Sequence, residues 1–187
     1  MKQPAETCAA VAMLRGINVG GHKLLPMAEL KHILMSLGVQ DVQTYIQSGN
    51  AVFCCSTNRL PEIGKGLTEE IRHRKGDEIR VLIYPAGQYN DILAANPLAD
   101  LSNDSTKLHA GFLLEQANKA DHAALARLKR DSEQFYLGEK AFYLYAPEGI
   151  GKSKLAAGAE KAIGVAMTMR NWKTACTLRD MLANMHG

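Results

Sequence analysis

Two stretches of this chain gather the residue types that hold anions. The first is the loop Arg15-Gly-Ile-Asn-Val-Gly-Gly21, together with Gln47-Ser-Gly-Asn50. It offers Arg15, Asn18, Gln47, Ser48 and Asn50, set among Gly16, Gly20, Gly21 and Gly49. A guanidinium can grip a carboxylate or phosphate bidentately, and glycines let backbone N–H groups come close to a ligand. The second is Gly149–Lys154 with Arg170, Asn171 and Trp172. There Ser153 and Lys154 stand where a helix should begin, and helix N-termini attract anions. Each stretch also has a plain structural reading. Asn, Ser and Gly are ordinary turn residues that bond their own backbone, and Ser153 is a natural N-cap flanked by solvated lysines.

The hydrophobic pattern supplies elements to position these loops. Residues 8–14 read as a buried strand. A helix follows from about Pro26 to Leu37, with Met27, Leu30, Ile33, Leu34 and Leu37 on one face and Gly38 as its stop. Strands at 42–47 and 51–55 flank Ser48-Gly-Asn50, a tight hairpin signal. A helix over about 60–74, a strand at 79–84 and a short helix at 86–94 complete the first half. Residues 95–107 are polar and read as a linker. The second half repeats the order. It has strands at 108–114, 133–137, 140–145 and 165–169, and helices at about 119–130, 153–163 and 175–185, with Thr174 as the expected cap of the last.

The expected fold is therefore α/β (α+β), two tandem ferredoxin-like βαββαβ units, each with a trailing helix. The expected boundaries are 1–95 and 96–187, in one two-lobed body. In that topology the loop after strand one meets the hairpin between strands two and three. The exits of strands three and four meet at the opposite end.

Composition narrows the function classes. The 187 residues are 47% hydrophobic and 22% charged, the balance of a globular protein with a core. A net charge of +3 is too mild to argue for nucleic acid. Nothing resembles a secretory leader or a membrane span, so a cytoplasmic location is expected. The four cysteines form no C-x-x-C pair, and neither a disulfide framework nor a zinc or other metal site is expected. No catalytic set is legible and no cofactor is implied.

Ala146-Pro-Glu-Gly-Ile-Gly-Lys152-Ser153 fits a relaxed phosphate-loop pattern. It lies too late for a parallel sheet to follow, and its preceding strand looks like half of a hairpin. No later strand ends in a magnesium-binding Asp. Three features count against an RNA-binding reading without excluding it: the third strand of the first half has only Phe53 for base stacking, Tyr143 and Tyr145 face opposite to Phe142 in the second half, and the glycine pattern is missing.

The sequence resembles the domain of unknown function 1697 family. The resemblance is carried by Leu14-Arg-Gly-Ile-Asn-Val-Gly-Gly21, Pro26-Met-Ala-Glu-Leu30, Leu37-Gly38 and Thr44-Tyr-Ile-Gln-Ser-Gly-Asn50 with Val52-Phe53. It continues in Gly149-Ile-Gly151, Ser153-Lys-Leu155 and Thr168-Met-Arg-Asn-Trp172 with Thr174, so that it spans residues 8–182. It implies a bacterial-type cytosolic protein with a duplicated ferredoxin-like fold, and it implies no activity. Its pattern stresses the serine and lysine at 153 and 154 rather than Lys152.

The functional expectation is a protein that binds an anionic small molecule, a nucleotide or phosphorylated metabolite. Its contacts would be Arg15, Gly16, Asn18, Gly20, Gly21, Gln47, Ser48, Asn50, Ser153, Lys154, Arg170 and Asn171. The alternative is a nucleic-acid or protein interaction module without catalysis.

Overall fold

A computed structural model describes residues 6–18 and 23–185. The chain divides into two compact units, Met1–Asn90 with Thr177–Gly187, and Asp91–Cys176. Along the chain the elements of the first half are β1 (Thr7–Leu14), α1 (Met27–Ser36), β2 (Gln40–Tyr45), β3 (Asn50–Ser56), α2 (Leu60–Lys75), β4 (Val81–Pro85) and α3 (Ala86–Ala94). Those of the second are β5 (Leu108–Leu113), α4 (His122–Leu128), β6 (Gln134–Leu137), β7 (Ala141–Tyr145), α5 (Lys154–Ile163), β8 (Met167–Asn171) and α6 (Trp172–Ala183). The described residues thus form a mixed α/β fold with two four-stranded antiparallel sheets and six α-helices.

The small, apolar run of β1 takes an inner position in its sheet, whose order is β2-β3-β1-β4. It pairs with β3 from Thr7↔Ser56 to Met13↔Asn50, and with β4 from Ala10↔Pro85 to Leu14↔Val81. Strands buried on both faces need such continuous apolar sequence, whereas the polar β2 lies at an edge. The register of β2 shifts between Gln40 and Gln43, and Asp41 adopts φ +53. Such an irregular edge resists pairing with another chain.

Helices α1 and α2 cover one face of this sheet. Met27, Leu30, Ile33 and Leu34 turn inward from α1, and Ile63, Leu67 and Ile71 from α2. Each such side chain contributes about 1.5–3 kcal/mol of burial. Pro26 occupies the cap position just before α1, and Gly76 closes α2 at φ +72. Lys75 meets Glu29 at 2.7 Å, which ties the end of α2 to the first turn of α1.

The second sheet has the order β6-β7-β5-β8. β5 is buried along its length, with β7 and β8 antiparallel on either side. α4 and α5 pack on one face through Leu125, Leu155, Ala159 and Ile163. On the other face, the Tyr143 hydroxyl donates to the Ile92 carbonyl at 2.5 Å, and burial pushes its pKa up to about 12. No helix among the described residues is long and apolar enough to cross a membrane.

Two local expectations are corrected. The last helix begins at Trp172, not near Ala175, because the Oδ1 of Asn171 accepts the Thr174 N–H at 3.0 Å. Asn171 is therefore the capping side chain, and Thr174 lies inside the first turn. The β2–β3 turn spans residues 46–49, since Asn50 already pairs with Tyr45.

Candidate functional site

The exit of β1 is bracketed on both sides. The Leu14 N–H donates to the Gly49 carbonyl at 2.8 Å, and the Arg15 N–H to the Arg80 carbonyl at 2.9 Å. Residues 14–18, the β2–β3 turn and the start of β4 therefore share one end of the sheet. Asn18 fastens them. Its Oδ1 accepts the Leu25 N–H at 2.8 Å, and its Nδ2 donates to the carbonyls of Leu25 at 2.9 Å and Gln47 at 2.7 Å. Asn18 sits at φ +55, a left-handed conformation that Asn tolerates better than most residues.

The turn beside it is closed in the same manner. Buried Asn50 donates from Nδ2 to the Tyr45 carbonyl at 3.2 Å and to the Ser48 hydroxyl at 2.8 Å. Gly49 has φ +74, and a Cβ there would lie 2.6 Å from the Ile17 side chain and 2.8 Å from Leu14 Cβ. The amides of Asn18 and Asn50 are thus committed to backbone and turn. Among the described residues at this end, Gly16, Lys23, Leu24, Ile46, Gln47 and Arg80 face solvent, and Arg15 is half-buried. Gly20 and Gly21 lie outside the described residues. Sequence reasoning missed Lys23 and Arg80. The antiparallel pairing of β1 with β4 was the signal that places Arg80 here.

The second cluster forms at the start of β5. Leu108 pairs with Tyr145 and His109 with Asn171, so the exits of β7 and β8 flank one strand end. Residues 150–152 make one 3-10 turn, and Ser153 then caps α5, its hydroxyl accepting the Ala156 N–H at 2.9 Å. The N–H groups of Lys152 and Ser153 donate to the carbonyls of Gly149 and Ile150. A phosphate loop needs such amides to point at its ligand, and its strand belongs to a parallel sheet. Here these amides are engaged within the loop and β7 is antiparallel to both neighbours, so the Gly-Lys-Ser match carries no phosphate cradle.

Arg170 lies in the sheet rather than on the surface. It is 8% exposed, and its Nη1 donates to the Thr168 hydroxyl and the Met169 carbonyl, each at 2.9 Å. Trp172 is half-buried, and Lys152 and Lys154 are exposed. A cleft of 500 Å³ opens beside the start of α5, lined by Ile150, Gly151, Ser153, Ala156, Ala157, Glu160, Met167 and Met169, and Lys152, Lys154 and Arg170 are not among its lining residues. Glu160 accepts the Met167 N–H at 2.9 Å, which anchors its carboxylate at the strand side.

Four groups at this end escaped sequence reasoning. Arg130 pairs with Glu148 and donates to the Lys152 carbonyl at 2.6 Å, which clamps the loop before α5. The Ser132 hydroxyl, and then the Arg130 charge, hold Glu148 below the usual carboxylate range. His109 is 5% exposed, and its Nδ1 has no hydrogen-bond partner among the described residues. Burial pushes its pKa below the ordinary 6.5, with the Lys107 carbonyl opposing.

A catalytic set is not found among the described residues. The Cys54 and Cys55 thiols are buried and pushed upward by desolvation, Cys55 to about 11. No group of three His, Cys, Asp or Glu side chains is placed to hold a metal ion among the described residues.

No curated protein matches the chain. Among solved structures it is similar to a conserved bacterial protein, SP0830, from Streptococcus pneumoniae. The two share 26% identity and a TM-score of 0.70, over 95% of this chain and 99% of that one. Residues 8–143 match the family described as protein of unknown function (DUF1697). That match covers well over half of the sequence, and the chain belongs to the DUF1697 family.

Proposed function

We propose that this chain is a cytoplasmic, bacterial-type protein of two tandem ferredoxin-like units that binds an anionic small molecule, a nucleotide or phosphorylated metabolite. The strand orders β2-β3-β1-β4 and β6-β7-β5-β8 support the architectural part. One observation carries the binding part: Gly151 and Ser153, in the loop singled out for its anion-binding residue types, border the 500 Å³ cleft beside α5. Pockets that hold small molecules are largely apolar with a few polar groups at the edge. Met167, Met169 and Ala156 supply the apolar wall for a flat ring. Lys152 and Lys154, with the N-terminal dipole of α5, supply the positive edge for phosphate. Glu160 orients the ligand, since its charge disfavours an anion at the strand side. The loops around Arg15, Gly16, Gln47 and Ser48 are the second candidate contact surface. The reading assigns no reaction.

The test is a thermal-unfolding screen with nucleotides, sugar phosphates, coenzyme A and inorganic phosphate. A ligand at a hundred times its Kd stabilises by about 2.7 kcal/mol. For a chain of this size that is a shift of roughly 5–10 °C. The shift is expected to vanish in Lys154→Glu and Ala157→Trp and to survive Arg15→Glu. Loss in Arg15→Glu alone would move the site to the β1 exit. No shift from any compound would sink the binding reading.

The alternative, an interaction module without catalysis, is favoured by one observation. Leu24 and Ile46 are 62% and 49% exposed on loops that Asn18 joins. Apolar association through them should withstand salt, whereas phosphate-backbone binding weakens steeply with it.

A further inference from the structure

Three of the four cysteines lie at one end of the β1–β3 pair, and two of them face each other. Cys8 is directly opposite Cys55 in the antiparallel register. The Thr57 N–H donates to the Glu6 carbonyl at 3.0 Å and the Leu14 N–H to the Gly49 carbonyl at 2.8 Å. Both bonds join residues of the same register, so the hydrogen-bonded positions on β1 are the even-numbered ones, and Cys8–Cys55 is a hydrogen-bonded pair. In such pairs the Cα atoms stand about 5.5 Å apart. A disulfide accepts Cα separations of about 4.4–6.8 Å. Directly opposed side chains share a face, and burial, then the Cys8 thiol beside it, raises the Cys55 pKa. Cys54 points to the other face of the sheet and faces Ala9.

We propose that Cys8 and Cys55 are a modification site: a reversible cross-strand disulfide formed by a peroxide oxidant. Half-buried Cys8 is the entry thiol, while Cys55 is buried and shielded from direct attack. The Cys8 thiolate attacks one peroxide oxygen and the O–O bond breaks. The hydroxide released takes a proton to become water, and Cys8 becomes a sulfenic acid. The Cys55 thiolate then attacks the Cys8 sulfur, the S–O bond breaks, and a second water leaves. The two thiols lose two electrons and two protons in total, and one peroxide becomes two waters.

Burial raises the Cys55 pKa to about 11, and one charge nearby works against that rise. Arg59 is fixed by hydrogen bonds to the Leu37 and Gly38 carbonyls, and its charge favours the Cys55 thiolate against the burial that opposes it. The bridge needs a Cβ separation of about 3.5–4.5 Å. Facing residues stand about 4.5–5.5 Å apart, so the strands must close slightly. Cys8 lies beside the exposed Thr7 at the start of β1, where the Glu6–Thr57 bond holds the two strands in register. A bridge closed under that strain is readily reduced, as a reversible site in a reducing compartment requires.

The test is oxidation of the whole chain with hydrogen peroxide, followed by peptide mass mapping without reductant. The expected result is a monomer lacking two hydrogens, with a Cys8–Cys55 cross-linked peptide that dithiothreitol reverses. Two of the four thiols should disappear from a thiol titration of the unfolded protein. Cys8→Ser should abolish the cross-link, while Cys54→Ser and Cys176→Ser should retain it. Four results would each overturn the proposal: Cys8 oxidised to sulfinic acid with Cys55 still free, a Cys8–Cys54 bridge, a bridge between two chains, or four unreacted thiols.

Discussion

The exit of β1 and the start of α5 use similar residues to different ends. Both are rich in Gly, Asn, Ser and basic side chains. At the β1 exit, Asn18 and Asn50 direct their amides inward and knit three backbone segments together. At the start of α5, Ser153 and Asn171 each cap a helix, and a cleft stays open beside the first of them. Residue type alone does not separate a fastening from a binding loop. Ser153 and Asn171 have partners just as Asn18 and Asn50 do, so the distinction lies in whether space remains next to them.

The comparison can be broken most forcefully at Gly49. Gly49→Ala places a methyl group against Ile17 and Leu14 at a positive φ. It is expected to cost about 2–4 kcal/mol in denaturant unfolding. A near-neutral result would mean that the β1 exit is not the rigid fastening described. Next comes Asn18→Ala, which leaves the Leu25 N–H and two carbonyls without their partner. The expected loss is roughly 1–3 kcal/mol, with faster hydrogen exchange at Leu25. Ser153→Ala and Asn171→Ala remove single caps and should cost about 1 kcal/mol each, which chemical denaturation resolves.

The smallest effect concerns pH. Folding lowers the His109 pKa below the 6.5 of an exposed histidine. Between the two values the unfolded chain binds more protons, so stability rises with pH there. It falls as the solution is acidified through about pH 6.5, by at most about 1.4 kcal/mol per pH unit. His109→Phe should flatten that part of the stability profile, and an unchanged slope would assign it to other groups.

Much of the local structure was legible because periodicity is a local signal. The apolar spacing of Met27, Leu30, Ile33 and Leu34 gave α1, and the unbroken run at 8–14 gave an inner strand. Ser153 read correctly as a position where a helix starts. The end of the chain was harder. Asn171 and Thr174 are both good caps, and only the hydrogen bond between them decides which one starts α6. Arg170 read as part of a short apolar strand, but its burial was not legible, because a lone Arg next to Asn does not announce it. His109 was hidden inside the apolar run at 108–114. The cleft was beyond reach, since it depends on how far α5 stands from Met167 and Met169. The antiparallel pairing of β1 with β4 is likewise what brings Arg80 to the β1 exit, 65 residues after Arg15 in the sequence.

The most direct test of the central claim is an amide-resolved titration of the isotope-labelled protein with adenosine triphosphate and, separately, inorganic pyrophosphate. The account predicts saturable shifts at Gly151, Lys154, Ala157 and Met169, larger with the nucleotide, while Gly16, Asn18 and Gly49 stay still. Shifts confined to Gly16, Gln47 and Ser48, or none with either compound, would contradict it.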